Sequence, residues 1–300
     1  MRTLSVAALL PFLAGPLKAQ ASVASDLWRV AAGTLVVPAA LTDDGSAPLW
    51  TPAAILKEHD RYRFGVEAIH APSEVGLSGG VLAFTTRFGA RSAVSLTYGR
   101  LGIGSVGYTE TSPELVGSSL DIYNQTASVG IAHAFGNTLT GGVAVRYLSG
   151  RLAFTSRSQF GVDLGAQYAG RSHLRLGVTT HFFDPAFGPA SQSASYSLGA
   201  EYRSGGFSLW GAHGVALIRY GLTAARGNDS QQLLSAGLAL GTSLLLDLGA
   251  AREQTAADVV WRSRLGLGIG AGRYTVRIAR DGGVNDFGAT YRFGLTAVFK

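Results

Sequence analysis

FGATYRFGLTAVFK, residues 287–300, is the stretch from which the rest of the chain is read. Phe287, Ala289, Tyr291, Phe293, Leu295, Ala297 and Phe299 hold every second position, and Gly288, Thr290, Arg292, Gly294 and Thr296 fill the places between. A period of two is that of a strand, whose side chains alternate between two faces. The apolar set is aromatic at both ends and aliphatic toward the middle, and an arginine sits on the opposite face. That pattern suits lipid outside, aromatic rings at each water boundary and a polar lumen behind. The fold class expected is all-β: a transmembrane antiparallel β-barrel of about 14 strands, with an N-terminal hatch or plug inside its lumen.

Working outward from this strand, the same rhythm recurs at 61–71, 77–88, 91–108, 122–135, 138–149, 158–169, 172–183, 193–203, 206–218, 231–241, 242–252, 258–271 and 273–280, with 287–299 as the last strand. Tight links (Gly89-Ala90, Gly136-Asn137, Gly170-Arg171, Ser204 to Gly206, Gly241-Thr242, Ala271-Gly272) alternate with longer ones (109–121, 184–192, 219–230, 281–286). Short periplasmic turns alternating with longer external loops are the topology of an outer-membrane barrel. An even strand number places both termini on the periplasmic side. At the tight-turn ends Phe88, Phe135, Tyr168, Tyr202, Phe207, Tyr274 and Phe299 share the apolar parity and are expected to form one aromatic girdle. Tyr108, Tyr123, Phe182, Trp261 and Phe287 are expected to form the other.

The opposite parity carries Arg63, Glu67, Arg87, Arg146, Asp163, Arg175, Glu201, Arg203, Asp247, Arg262, Arg264, Arg277 and Arg292. Some of these charges neutralise one another, but arginine outnumbers carboxylate, which favours an anionic or carboxylate-bearing solute in the lumen. Arg146, Arg175, Trp210, Arg262, Arg264, Arg277 and Arg292 are therefore the candidate ligand residues. In the third strand, Val94, Leu96 and Tyr98 set one parity, Leu101 and Ile103 the other, and Val106 and Tyr108 the first again. Two such slips beside Gly99, Gly102, Gly104 and Gly107 imply bulges, needed either to curve the wall or to open a lateral gate for an apolar ligand.

Residues 1–21 read as a secretory signal, with Arg2, an apolar run from Leu4 to Leu13 and Ala19-Gln20-Ala21 as a cleavage site. Of the net charge of +6, Arg2 and Lys18 would leave with it, so the mature value is +4, too small and dispersed for nucleic-acid binding. Glycine is abundant at 41, charged residues are 15%, cysteine is absent, and no apolar stretch after the signal is long enough for a spanning helix. Residues 22–60 lack strand rhythm yet carry Leu27, Trp28, Leu35 and Trp50, too apolar for a disordered leader, and read as the folded plug preceding a barrel of residues 61–300. The histidines show no close metal-ligand spacing, and the pair His181 and Asp184 has no evident serine beside it. No catalytic residue, metal or cofactor is expected, and Gly266, Gly268, Gly270 and Gly272 continue a strand's alternation rather than open a phosphate-binding helix.

LTDDGSAPLWTPAAIL, residues 41–56, resembles a motif near the mature N-terminus of the FadL-like and PorV/PorQ-like outer-membrane barrels. Asp43 and Asp44 match its acidic pair, Trp50 its aromatic, and Pro52-Ala53 the core of its Asn-Pro-Ala-Gly turn, with Thr51 in place of Asn and Ala54 in place of Gly. YGRLGIGSVGYTET, residues 98–111, is similar to the third-strand region of the PorV-like branch. The resemblance implies a fourteen-stranded barrel with an internal hatch. In the FadL-like branch this architecture takes up fatty acids and other hydrophobic compounds passively through hatch movement and a third-strand opening. In the PorV-like branch it partners secreted proteins. A general diffusion porin is a third reading, favoured by the charged lumen and opposed by the plug.

Overall fold

The computed structural model describes residues 26–55, 60–72, 76–107, 119–152, 154–170, 173–183, 194–209, 212–225, 230–241, 243–254, 259–283 and 288–299. Its strands are β1 (Tyr62–His70), β2 (Leu77–Phe88), β3 (Ser92–Gly107), β4 (Ser119–Phe135), β5 (Leu139–Leu152), β6 (Thr155–Ala169), β7 (Leu174–Phe183), β8 (Ser195–Arg203), β9 (Phe207–Leu209), β10 (Ala212–Ala225), β11 (Ser230–Leu240), β12 (Leu244–Gln254), β13 (Val259–Ala271), β14 (Tyr274–Asp281) and β15 (Thr290–Phe299). Each pairs antiparallel with its sequence neighbour, except that β8 pairs with β10 and the three-residue β9 folds back on the start of β10. β15 pairs with β1 from Phe299 opposite Tyr62 to Tyr291 opposite His70. The fourteen long strands thus form a closed barrel with no free edge. Tight connections at one end use glycine in the left-handed region, as at Gly136 (φ 75°) and Gly272 (φ 61°).

The outer face follows the alternation read from residues 287–299. Tyr291, Phe293, Leu295 and Phe299 are exposed while Arg292 is buried. Ala297 is the exception, because Phe64 and Tyr274 stand opposite it on the two flanking strands and cover its methyl group. At the tight-turn end Phe88, Phe135, Tyr168, Tyr202, Phe207, Tyr274 and Phe299 all project outward and exposed, a ring suited to an interface between lipid and water. The other boundary differs from expectation. Tyr98, Tyr147 and Phe160 lie in one cross-strand row, and the next outward row reads Arg100, Gln125, Ser149 and Ser158. The apolar belt therefore ends at the first of these rows. Tyr123 lies above it, under the Arg100 guanidinium at 4.5 Å. Trp261 is exposed as expected, and Tyr108, Phe287 and the Phe182 side chain lie outside the described residues.

Two strand readings are corrected. β3 keeps one parity from Val94 to Ile103, so Leu101 points inward and is fully buried, and Arg100 points out. It pairs without interruption with β2 and β4 over residues 92–103, and one register shift falls between Ile103 and Val106. The apparent slip at Leu101 arose because part of the inner wall is itself apolar. The ninth long strand runs from Ala212 to Ala225 rather than 206–218, which brings Arg219 inside the barrel.

Residues 26–55 fold inside the lumen as α1 (Asp26–Ala32), a 3-10 turn at Ala39–Leu41, α2 (Ala47–Trp50) and a second 3-10 turn at Pro52–Ile55. At several points they seat directly on backbone, because the wall residue there is glycine. Gly177, Gly199 and Gly221 form one cross-strand row, and a Cβ on them would run into Ala40, Leu41 and Pro38. Gly142, paired with Gly165, would meet Pro52 in the same way, its Cβ 2.6 Å from the Pro52 carbonyl carbon. Replacing Gly177 by leucine should therefore dislodge the plug at a cost of about 1–3 kcal/mol, as overpacking does. The barrel should keep its compact mobility on an unheated detergent gel while residues 26–55 become open to protease. Plug resistance equal to that of the wild type would contradict the close seating.

Candidate functional site: the lumen and its plug

The lumen is a contact surface between inward arginines and the plug's backbone. α1 ends at Ala32, at the negative end of its dipole, and local turn bonds from Gly33, Thr34 and Leu35 close its last carbonyls. Arginines of β13 and β15 add bonds to Ala31 and to the carbonyls of the turn that follows the helix. Arg292 donates to the Ala31 carbonyl at 2.7 Å and to Thr34 Oγ1 at 3.0 Å. Arg264 donates to the carbonyls of Gly33 and Leu35, while Arg262 and Gln231 also reach the Gly33 oxygen, at 3.3 and 3.1 Å. At the other end of α1, the Leu27 amide donates to Asn124 Oδ1 of β4 at 2.7 Å. Further along, Gln167 bonds the Ala40 carbonyl at 2.7 Å, Arg146 the Leu49 carbonyl at 2.8 Å, and the Gly45 amide bonds Thr296 Oγ1 at 2.8 Å.

Each of these arginines is itself held by a carboxylate. Arg146 pairs with Asp163, both fully buried, and Asp163 lies 3.4 Å from His181 Nδ1. Arg292 pairs with Glu67. Arg264 bonds Asp281 at 2.8 Å, and Arg262 bonds Asp281 and Glu253. Arg219 joins Glu201 and Asp247, while Arg203 and Arg175 lie beside the same Glu201. Arg63 bonds Asp60 at 3.0 Å. Arg277 donates two bonds to the plug's Asp43, each 3.2 Å, with Asp44 at 3.6 Å.

The expected surplus of positive charge is corrected by this pattern. Asp281, Glu253, Asp60 and the plug's Asp43 and Asp44 are carboxylates that a reading of barrel parity within shorter strands leaves out, and they complete the pairing. Of the candidate ligand residues, Arg146, Arg262, Arg264, Arg277 and Arg292 bond the plug directly, and Arg175 reaches it through Gln167 and lies 3.9 Å from Asp43. Trp210 lies outside the described residues. The sequence reading leaves out Arg219 and Asp281 because it ends their strands at 218 and 280, whereas the strands run to Ala225 and Asp281 and the alternation continues across both.

The hatch-motif residues meet inside the barrel. Asp44 Oδ1 accepts from the Ser46 amide and hydroxyl, closing a local turn ahead of α2. Ser46 Oγ accepts from Trp50 Nε1 at 3.2 Å, and the Arg292 guanidinium sits 5.2 Å from the Trp50 ring. Pro52 and Ala53 lie against Gly142 and Gly165. The glycines considered for a gate divide. A Cβ at Gly99 would collide with the Trp28 ring, so Gly99 makes room for the plug; Gly104 faces open space; a Cβ at Gly102 would stand 3.3 Å from the Ile122 carbonyl oxygen; the surroundings of Gly107 lie outside the described residues. The wall at Gly99 and Gly102 is fully paired and has no gap.

One part of the inner wall is not polar. Ile69 of β1, Leu77 and Val81 of β2, Leu101 and Ile103 of β3 and Leu148 of β5 all face inward and pack with Trp28, Leu35, Leu49 and Trp50 of the plug. Elsewhere the wall presents hydroxyls, including Ser95, Thr97, Thr126, Ser128, Thr179 and Ser197. A cavity of about 70 Å3 remains between plug and wall, bounded by Val36, Asp44, Glu67, Asp247, Arg277 and Arg292. It has room for a few waters and no larger solute.

With this geometry in hand, the chain can be set beside known structures. It resembles the Ralstonia pickettii toluene transporter TbuX at 12% identity and TM-score 0.51, over 85% of this chain and 94% of that one. It resembles the Pseudomonas putida toluene transporter TodX at 11% identity and TM-score 0.50, over 88% and 96% of the two chains. The fold is FadL-like. No family model and no curated protein matches the sequence. A FadL-like barrel of this kind is an outer-membrane architecture, and its outward apolar belt agrees.

The arrangement separates two roles for Arg146. Replacing it by methionine leaves Asp163 buried without its main counter-charge, at a cost of about 3–5 kcal/mol, whereas replacing both partners by apolar residues is often close to neutral. Denaturant unfolding of Arg146→Met should show that loss, and Arg146→Met with Asp163→Leu should recover most of it. Plug protection from protease should stay reduced in both variants, since both lose the bond to Leu49. Equal stability of wild type and single variant would refute the buried pair.

Proposed function

We propose that the protein is an outer-membrane channel for passive entry of small hydrophobic compounds, closed by its own N-terminal hatch. The observation that carries this reading is the apolar strip of the inner wall, Ile69, Leu77, Leu101, Ile103 and Leu148, packed with Trp28, Leu35, Leu49 and Trp50 of the plug. A channel for polar solutes has no use for an aliphatic lining, because apolar surface in a water-filled pore is unfavourable. A channel for hydrophobic solutes needs such a strip, and a plug that shields it from water when no solute is present. The plug also weighs against a general porin. The solved proteins of similar fold, TbuX and TodX, are toluene transporters, which supports the same direction.

In this reading residues 1–21 are an export signal, 22–60 the hatch and 61–300 the barrel, with the tight turns and both barrel termini facing the periplasm. Chemistry on a substrate is not part of it. The inward arginines hold the hatch, so the preferred solute is neutral or weakly amphipathic rather than one selected for a carboxylate. Hydrophobic molecules cross phospholipid unaided, so the useful assay has a lipopolysaccharide barrier: vesicles with a lipopolysaccharide outer leaflet, filled from outside with a naphthylamine dye that fluoresces in apolar surroundings. Protein-bearing vesicles should fill faster than empty ones. Leu101→Asn, of similar size, should cut the protein-dependent rate about tenfold, the loss that follows from replacing roughly two methylenes of apolar contact. Equal filling of protein-bearing and empty vesicles would remove the proposal.

A further inference from the structure

The lipid-facing wall carries a dent of about 530 Å3 across β6, β7, β8 and β10. Its floor is set by the methyl groups of Ala166 and Ala200, and its sides by Tyr168, Leu176, Leu198 and Tyr220. Cross-strand pairing fixes this shape: Tyr168 stands opposite Leu176, Leu176 opposite Ala200, and Ala200 opposite Tyr220. Two alanines in a belt of larger side chains therefore leave a hollow between two tyrosines. The floor is backed from inside, where Leu41 and Pro38 of the plug lie against Gly199 and Gly221 of the same strands. The hollow is thus held open by packing on both faces of a single layer of backbone.

We infer that this dent binds one acyl chain of a membrane lipid as a discrete, retained ligand. It is continuous with the outward apolar belt, so the membrane itself is what covers it. The lining offers no charge, and the side chain of Gln167 at its edge is turned inward to the Ala40 carbonyl, so the site takes a tail and not a headgroup. The inference does not depend on what passes through the lumen.

The test is native mass spectrometry of the full-length barrel during stepwise delipidation in detergent. Ala200→Trp fills the hollow from the floor at β8, Ala166→Phe fills it from the floor at β6, and Ala127→Trp, on the exposed outer face of β4, is the control. After the annular lipids are gone, wild type and Ala127→Trp should keep one phospholipid. Both dent variants should lose it, with bound fraction falling about tenfold as roughly two methylenes of contact are forfeited. All four should keep the heat-modifiable gel mobility of a folded barrel. Complete delipidation of the wild type, equal retention by Ala200→Trp, or a dimer that Ala200→Trp abolishes would each overturn the inference.

Discussion

Everything inside this barrel depends on guanidinium groups reaching backbone carbonyls. A plug of short helices and turns carries many carbonyl groups that its own secondary structure cannot satisfy, and inside a barrel there is little water to do so. Arg292, Arg264 and Arg262 take the carbonyls at the end of α1, and Arg146 takes that of Leu49. Arginine suits this task because it offers several donors in a fixed plane and stays charged when buried. It can spend one edge on a carboxylate of its own wall and another on the plug. The carboxylates Asp163, Glu67 and Asp281 therefore hold the arginines in position, and through them the hatch.

A second constraint is thickness. The plug lies so close to β5–β10 that glycine is found where it touches, at Gly142, Gly165, Gly177, Gly199 and Gly221. On β1–β3 and β5 a second kind of contact is added, because Ile69, Leu77, Val81, Leu101 and Leu148 pack with Trp28, Leu35, Leu49 and Trp50, while Gly65 and Gly99 still make room for Gly45 and Trp28. The hatch is thus seated on glycine at several points and laid on an apolar strip along one part of the wall. Under the proposed function, a hydrophobic solute would compete with the plug for that strip.

The outer half of this account was legible in the sequence because lipid imposes one rule on every strand. Tyr291, Phe293 and Leu295 alternate with Arg292 and Gly294, and the strand count and tight-turn aromatics followed from the same rule. The inner half obeys no single rule, because what a residue needs depends on which part of the plug it faces. Leu101 looked like a slip of register since an apolar residue was not expected inside. The arginines looked like a charged lumen since their partners lay beyond the assumed strand ends, at Asp281, or in the plug, at Asp43 and Asp44. The inward glycines Gly177, Gly199 and Gly221 lie on three different strands, and only cross-strand register shows that they form one row.

The central claim is that the plug, and not the barrel, closes the pore, and single-channel recording in planar bilayers tests it most directly. The full-length protein should be electrically silent, and a variant lacking residues 26–55 should open a large, steady conductance through a lumen rich in hydroxyls. A wild-type protein that already conducts at the level of the deletion variant would contradict the account.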